Sequence, residues 1–237
     1  MRYLRQLQGG EDFPPSSEAL DYPSGLLAVG GELSPERLLG AYRRGIFPWF
    51  EEPQPVLWWT PDPRSVLFPE NLHISRSLRK TLRSDCFSLA VDQRFEHVMR
   101  ECAQLRKDGL GTWIGPAMLG AYCDLHALGH AHSIEVLDAH GELVGGLYGL
   151  AVGRSFFGES MFSRETDASK VALVALVDII RRGGFRVIDC QVESQHLNSL
   201  GAQNICREDF ERLLDETIDV AHDLNVWRLP PTCGELL

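Results

Sequence analysis

The chain has 237 residues, enough for one large domain or two small ones. Its 44% hydrophobic and 24% charged content is that of a folded globular protein. The net charge of −10 argues against a non-specific nucleic-acid binder, yet leaves room for a local basic site, because fields act within roughly 8 Å.

In chain order, the start MRYLRQLQGGEDFPP has no apolar core of a secretion signal, and no stretch approaches the ~18 apolar residues of a membrane span. The six cysteines include no CxxC pair and several lie among apolar residues, which fits a reducing cytoplasm. Ser34-Pro35-Glu36 is a cap, a first-turn proline and a first-turn acid, and predicts a helix from about Pro35 to Arg44, stopped by Gly45. The next stretch, Tyr42 to Phe68, holds Trp49, Trp58 and Trp59 and five prolines. Proline at that density forbids a helix, so residues up to Pro63 read as an irregular lobe or linker with a domain boundary at its end.

Ser75–Arg83 reads as a short helix. Asp92–Lys107 carries Phe95, Val98, Met99, Cys102 and Leu105 at helical spacing, and Pro116–Leu128 places Leu119, Tyr122, Cys123 and His126 on one face. The period then changes. Ser133–Leu137 and Leu143–Val152 about Asp138–Gly141 predict a β-hairpin, and SFFGESMF after Gly153-Arg154 a further strand. Asp167–Arg182 is apolar nearly all round and predicts a buried helix. FRVIDCQV follows as a strand. The order is that of an α+β fold, similar to the N-acetyltransferase arrangement.

Three features carry chemistry. Arg76, Arg79, Lys80 and Arg83 fall at i, i+3, i+4 and i+7, on one helix face with no acid between Ser75 and Ser84. Such a face is either solvated or meets a polyanion such as a phosphate backbone. In the last strand, period 2 sends Ile188, Cys190 and Val192 one way and Asp189, Gln191 and Glu193 the other. A polar row on an interior strand forms an internal hydrogen-bond network, a solvent face, or a cleft for a cation or amine. Glu159 sits between a glycine and a serine among apolar residues and needs a partner. The spacing of His126, His130 and His132 matches no common metal site, so no metal is expected. GxSxG, GxxxxGK[ST] and GxGxxG are absent.

The blocks GLLAVGGELSPERLLGAYRRGIFPWF, LWWTPDPRSVL, HISRS, GTWI, LGHAHSIEV, LVGGLYG, FFGESMFSRETDASKVAL and IDCQV, spread from about Gly25 to Gly201, resemble the bacterial leucyl/phenylalanyl-tRNA–protein transferases. The resemblance implies a small N-terminal domain (1–62) and an N-acetyltransferase-like catalytic domain (63–237) with a mostly antiparallel sheet. It implies transfer of Leu or Phe, and less well Met, from aminoacyl-tRNA to the α-amine of an N-terminal Lys or Arg, creating a degradation signal of the N-end rule pathway. An aminoacyl ester is already activated, so no cofactor is expected. SRETDASK stands where the acetyltransferases carry their coenzyme A loop, so coenzyme A is not expected either.

By the same resemblance, Asp189 and Gln191 handle the amine and Glu159 shapes the site and its acidic side. Tyr42, Trp49, Trp113, Leu147, Leu176, Gly158 and Ile188 receive the aminoacyl-adenosine, while Trp58 and Trp59 pack the lobes together. Arg76, Lys80 and Arg83 contact the tRNA. Leu147 stands where many relatives have methionine and Leu176 where some have an aromatic ring. The rival readings are an acyl-CoA N-acyltransferase and a tRNA-binding or N-end-recognition adaptor without turnover.

Overall fold

A computed structural model describes residues 3–107 and 112–237, leaving aside the side chains of 105–107. Met1, Arg2, Gly111 of GTWI and the side chain of Leu105 lie outside the described residues. The strands and helices in order are β1 (Arg5–Leu7), β2 (Leu26–Gly30), α1 (Pro35–Tyr42), β3 (Phe47–Pro48), β4 (Leu57–Trp59), β5 (Arg64–Leu67), α2 (Arg76–Ser84), β6 (Ser88–Val91), α3 (Phe95–Lys107), α4 (Pro116–Ala127), β7 (Ala131–Leu137), β8 (Leu143–Val152), β9 (Ser155–Ser163), α5 (Ala168–Arg182), β10 (Val187–Gln191), α6 (Gln195–Asn198), β11 (Gln203–Ile205) and α7 (Arg207–Thr217).

The strands form a four-stranded sheet, β1-β2-β4-β3, and a seven-stranded sheet, β11-β5-β10-β9-β8-β7-β6. Among the described residues of the larger sheet only β9 and β10 run parallel, joined by the crossover helix α5. The fold is α+β. The centre of the sheet is covered on both faces. α3 packs on one side of β8 and α5 on the other, so every residue of LVGGLYGLAV is buried and the strand shows no alternation. Gly145 lets α5 approach closely: a Cβ there would stand 2.4 Å from the Ala168 Cβ.

Several expectations are met in detail. Ser34 caps α1, its hydroxyl accepting from the Arg37 N–H at 3.3 Å, with Pro35 in the first turn and Gly45 beyond the end at φ 69°. The β7–β8 hairpin, β9 and α5 lie where patterning puts them.

Others need correction. The proline-rich stretch is not irregular throughout, because Phe47–Pro48 and Leu57–Trp59 pair as β3 and β4. β3 is an edge strand, the one sheet position where proline costs no internal ladder bond. Pairing with distant β2 supplies what local propensity withholds. On α4 the buried residues are Met118, Ala121, Tyr122 and Leu125, with Leu119 and Cys123 only half-buried. The helix is turned because it meets α1, α3 and β7 from different sides. On β10 the expected alternation stops at Gln191, where a bulge puts the backbone at φ 64°. Val192 is exposed, and Glu193 leaves the polar row to accept from the side-chain amides of Asn198 and Asn204 at 2.9 Å each.

Two glycine substitutions should act in opposite directions in urea denaturation. Gly145→Ala must push Ala168 aside and should cost about 1–3 kcal/mol. Gly40→Ala, inside α1 with nothing within 4 Å of the new methyl group, should add about 0.4–1 kcal/mol.

Candidate active site

The bulge at the end of β10 opens a cleft of about 270 Å³ between the aromatic segment and strands β8, β9 and β10. Trp49 and Trp113 stand at its wall, their ring centroids 6.1 Å apart and edge to face. Trp49 is 43% exposed, held by a 5.6 Å contact with Trp59, whose indole N–H donates to the Trp49 carbonyl at 2.7 Å. Leu147, Leu173, Leu176 and Ile188 make the apolar end, and Gly158, Glu159 and Gln191 the polar wall. The cleft thus brings together Trp49, Trp113, Leu147, Leu176, Gly158, Ile188, Glu159, Asp189 and Gln191 from six elements or their flanks. Trp58 lies in the core instead, its indole N–H donating to the Gly30 carbonyl at 2.8 Å and its ring against Phe13.

Tyr42 departs from its expected place. It does not line the cleft but is wholly buried beneath it, its hydroxyl donating to Glu159 Oε1 at 2.7 Å. The Tyr122 hydroxyl donates to Oε2 at 3.0 Å and also meets the Tyr42 hydroxyl. Gln191 Nε2 adds a third donor, on Oε1 at 2.8 Å. These donors favour the ionised carboxylate, but burial outweighs them, with Asp189 adding repulsion, and Glu159 is pushed from its ordinary 4.5 to about 7. Burial and Glu159 push both tyrosines well above the phenol range, so they stay donors.

Asp189 stands in the same wall. It is wholly buried and its carboxylate is taken up. Oδ1 accepts from Arg64 Nε at 2.8 Å and from the Gln191 N–H at 2.9 Å, and Oδ2 from Arg64 Nη2 at 2.6 Å. These bonds tie the Asp189 carboxylate to the backbone at Gln191, where it shapes the chain. Sequence reasoning gave no role to Arg64 or Tyr122. The available signal was need: two acids on interior strands require buried donors.

Outside the cleft, Arg76, Arg79, Lys80 and Arg83 are exposed on α2, and among the described residues none of them forms an ion pair. α2 packs on α5, which supplies Leu173 and Leu176 to the cleft, and the Thr81 hydroxyl donates to Asp167 Oδ2 at 3.0 Å just before α5. His126 stacks on Phe95 and bonds the Ala131 carbonyl, while His132 stacks on Trp227 and bonds Asp92, so both rings have structural partners. Among the described residues no three His, Cys, Asp or Glu gather as a metal site, and no helix is long and apolar enough to cross a membrane.

The chain matches the family model described as Leucyl/phenylalanyl-tRNA protein transferase over residues 66–215, and that family's N-terminal domain over 31–62. A protein of Syntrophobacter fumaroxidans named Leucyl/phenylalanyl-tRNA–protein transferase is 57% identical, covering 94% of each chain. Relatives with the same name from Aromatoleum aromaticum and Pseudomonas entomophila are 59% and 56% identical, covering 86% and 87% of this chain and 86% and 91% of theirs. Among solved structures, "The structure of L-PGS from Bacillus licheniformis" is similar at a TM-score of 0.41 and 12% identity, over 71% of this chain and 54% of that one.

The raised Glu159 carboxyl makes stability depend on pH. The fold holds this proton more tightly than the unfolded chain does, so its contribution is greatest below about 4.5 and falls as pH rises to about 7. The loss is about 3 kcal/mol. Guanidinium denaturation across that range should show the decline, and Glu159→Gln should remove it. Tyr42→Phe deletes a donor to the ionised form and should move Glu159 above 7, read from its carboxylate infrared band.

Proposed function

Because the chain belongs to the leucyl/phenylalanyl-tRNA protein transferase family, we propose that it transfers Leu or Phe, and less well Met, from aminoacyl-tRNA to the α-amine of an N-terminal Lys or Arg of an acceptor protein in the cytoplasm. The product is marked for degradation by the N-end rule pathway. The observation that carries this reading is the single cleft uniting aromatic rings, an apolar end and the Glu159–Gln191 wall. The terminal adenine lies against Trp49 and Trp113, a contact of about 1–3 kcal/mol. The Leu or Phe side chain enters the space between Leu147, Leu176 and Ile188.

The neutral α-amine attacks the ester carbonyl carbon, forming a C–N bond. The intermediate collapses with cleavage of the bond to the ribose oxygen, which leaves with the proton the amine gives up, so the balance closes without a further reactant. The enzyme's share is orientation and a matched electrostatic wall. With its NH₂ on Glu159, the Gln191 amide has its oxygen free to accept from the incoming amine. The Glu159 carboxylate, ionised as pH rises through about 7, suits a substrate with a basic first residue. Arg76, Lys80 and Arg83 meet the tRNA backbone. Coenzyme A takes no part. We also divide the chain into 1–62 and 63–237, a division supported by the separate family matches at 31–62 and 66–215.

The deciding assay gives the enzyme charged Leu-tRNA and a peptide beginning with Arg. A mass gain of one leucyl residue is expected. No gain makes the protein an adaptor, and a gain from acetyl-CoA alone makes it an acetyltransferase. Trp49→Ala should raise KM for charged tRNA. Neutralising Arg76, Lys80 and Arg83 together should weaken tRNA binding and flatten its dependence on log salt by about 0.7–0.9 per lost phosphate contact; an unchanged slope would mean a merely solvated face.

A further inference from the structure

Arg64 and Asp189 are both completely buried, and form a two-pronged ion pair between neighbouring antiparallel strands β5 and β10. As a device for stability the pair is a poor choice, since burying both charges costs several kcal/mol each and an apolar pair in its place is often no less stable. Its geometry points to a different task. The Asp189 oxygen held by Arg64 Nε also accepts the backbone N–H of Gln191. Gln191 sits at φ 64°, in the left-handed region that non-glycine residues seldom occupy, and such a conformation persists only where its surroundings over-determine it. That backbone turn aims the Gln191 amide at Glu159.

We propose that Arg64 is a positioning residue for acyl transfer, fixing the cleft-facing pose of Gln191 through Asp189. The proposal rests on the aminoacyl-transfer reading above. Arg64 is itself braced: its guanidinium lies 4.9 Å from the Phe47 ring centroid and 4.7 Å from that of Phe210. Phe47 lines the cleft beside Trp49. One line of contacts therefore runs from the aromatic segment through Arg64 and Asp189 to Gln191 and Glu159. The planar fork is what the arrangement uses. A lysine keeps the charge but offers no pair of parallel N–H groups and no flat face between two rings.

The test is a cycle of Arg64→Lys with Gln191→Ala, in transfer from charged Leu-tRNA to an Arg-peptide, with thermal unfolding of each variant. Arg64→Lys should lower kcat on the order of 10- to 100-fold while leaving KM for charged tRNA near wild type. In the Gln191→Ala background it should cost nothing further. Equal losses in both backgrounds, or wild-type kcat in the single variant, overturn the proposal. If Arg64→Lys does not fold, Asp189→Asn goes through the same cycle with the same expectations. A wild-type enzyme inactive with charged tRNA sinks the functional reading instead. The positioning claim is then judged by a crystal structure of Arg64→Lys, or of Asp189→Asn where the lysine variant does not fold. Gln191 is expected turned away from Glu159, and retention of their hydrogen bond overturns the claim.

Discussion

Two acids on adjacent central strands, Glu159 on β9 and Asp189 on β10, share one buried wall, and the architecture of the site follows from giving each its own compensation. Asp189 receives a cation and a backbone donor, while Glu159 receives two hydroxyls and an amide. The first solution keeps a fixed charge in place. The second leaves a carboxyl that exchanges its proton near neutrality. Neighbouring acids with different surroundings thus take different parts, one holding the backbone and the other facing the substrate space.

The donors come from far apart in the chain. Tyr42 ends α1, Tyr122 lies mid-α4, Arg64 opens β5 and Gln191 closes β10. The core beneath the cleft is therefore continuous with the residues that satisfy its acids: Tyr42, Tyr122 and Phe157 belong to one apolar cluster with Trp58 and Phe47. The aromatic segment acquires its meaning here. Its prolines prevent a helix, the short edge strand β3 carries Phe47 against Arg64 and sends Trp49 to the rim, and Trp59 holds Trp49 by its carbonyl. A stretch that looks irregular locally is paired and packed where it meets the cleft.

Legibility tracked how local each signal was. α1 was readable because a cap, a proline and a stopping glycine act within one turn of the backbone they govern. α5 and the β7–β8 hairpin were readable from apolar pattern and turn residues. Glu159 and Gln191 could be singled out as polar groups among apolar neighbours. The aromatic stretch kept its tryptophans in view but hid its strands, since β3 and β4 exist only by pairing with each other and with β2.

The amino-acid order by itself determined the main helices, the central hairpin, the exposed cationic face of α2 and the family, because these rest on periodicity, capping and contiguous motifs. Only the tertiary structure decided that Tyr42 lies under the cleft and not in it, that Tyr122 joins it there, that Arg64 reaches Asp189, and that Gln191 ends its strand in a left-handed turn. Those outcomes depend on partners tens to more than a hundred positions away, and a buried polar group announces in sequence that it needs a partner without saying which residue the fold will bring to it.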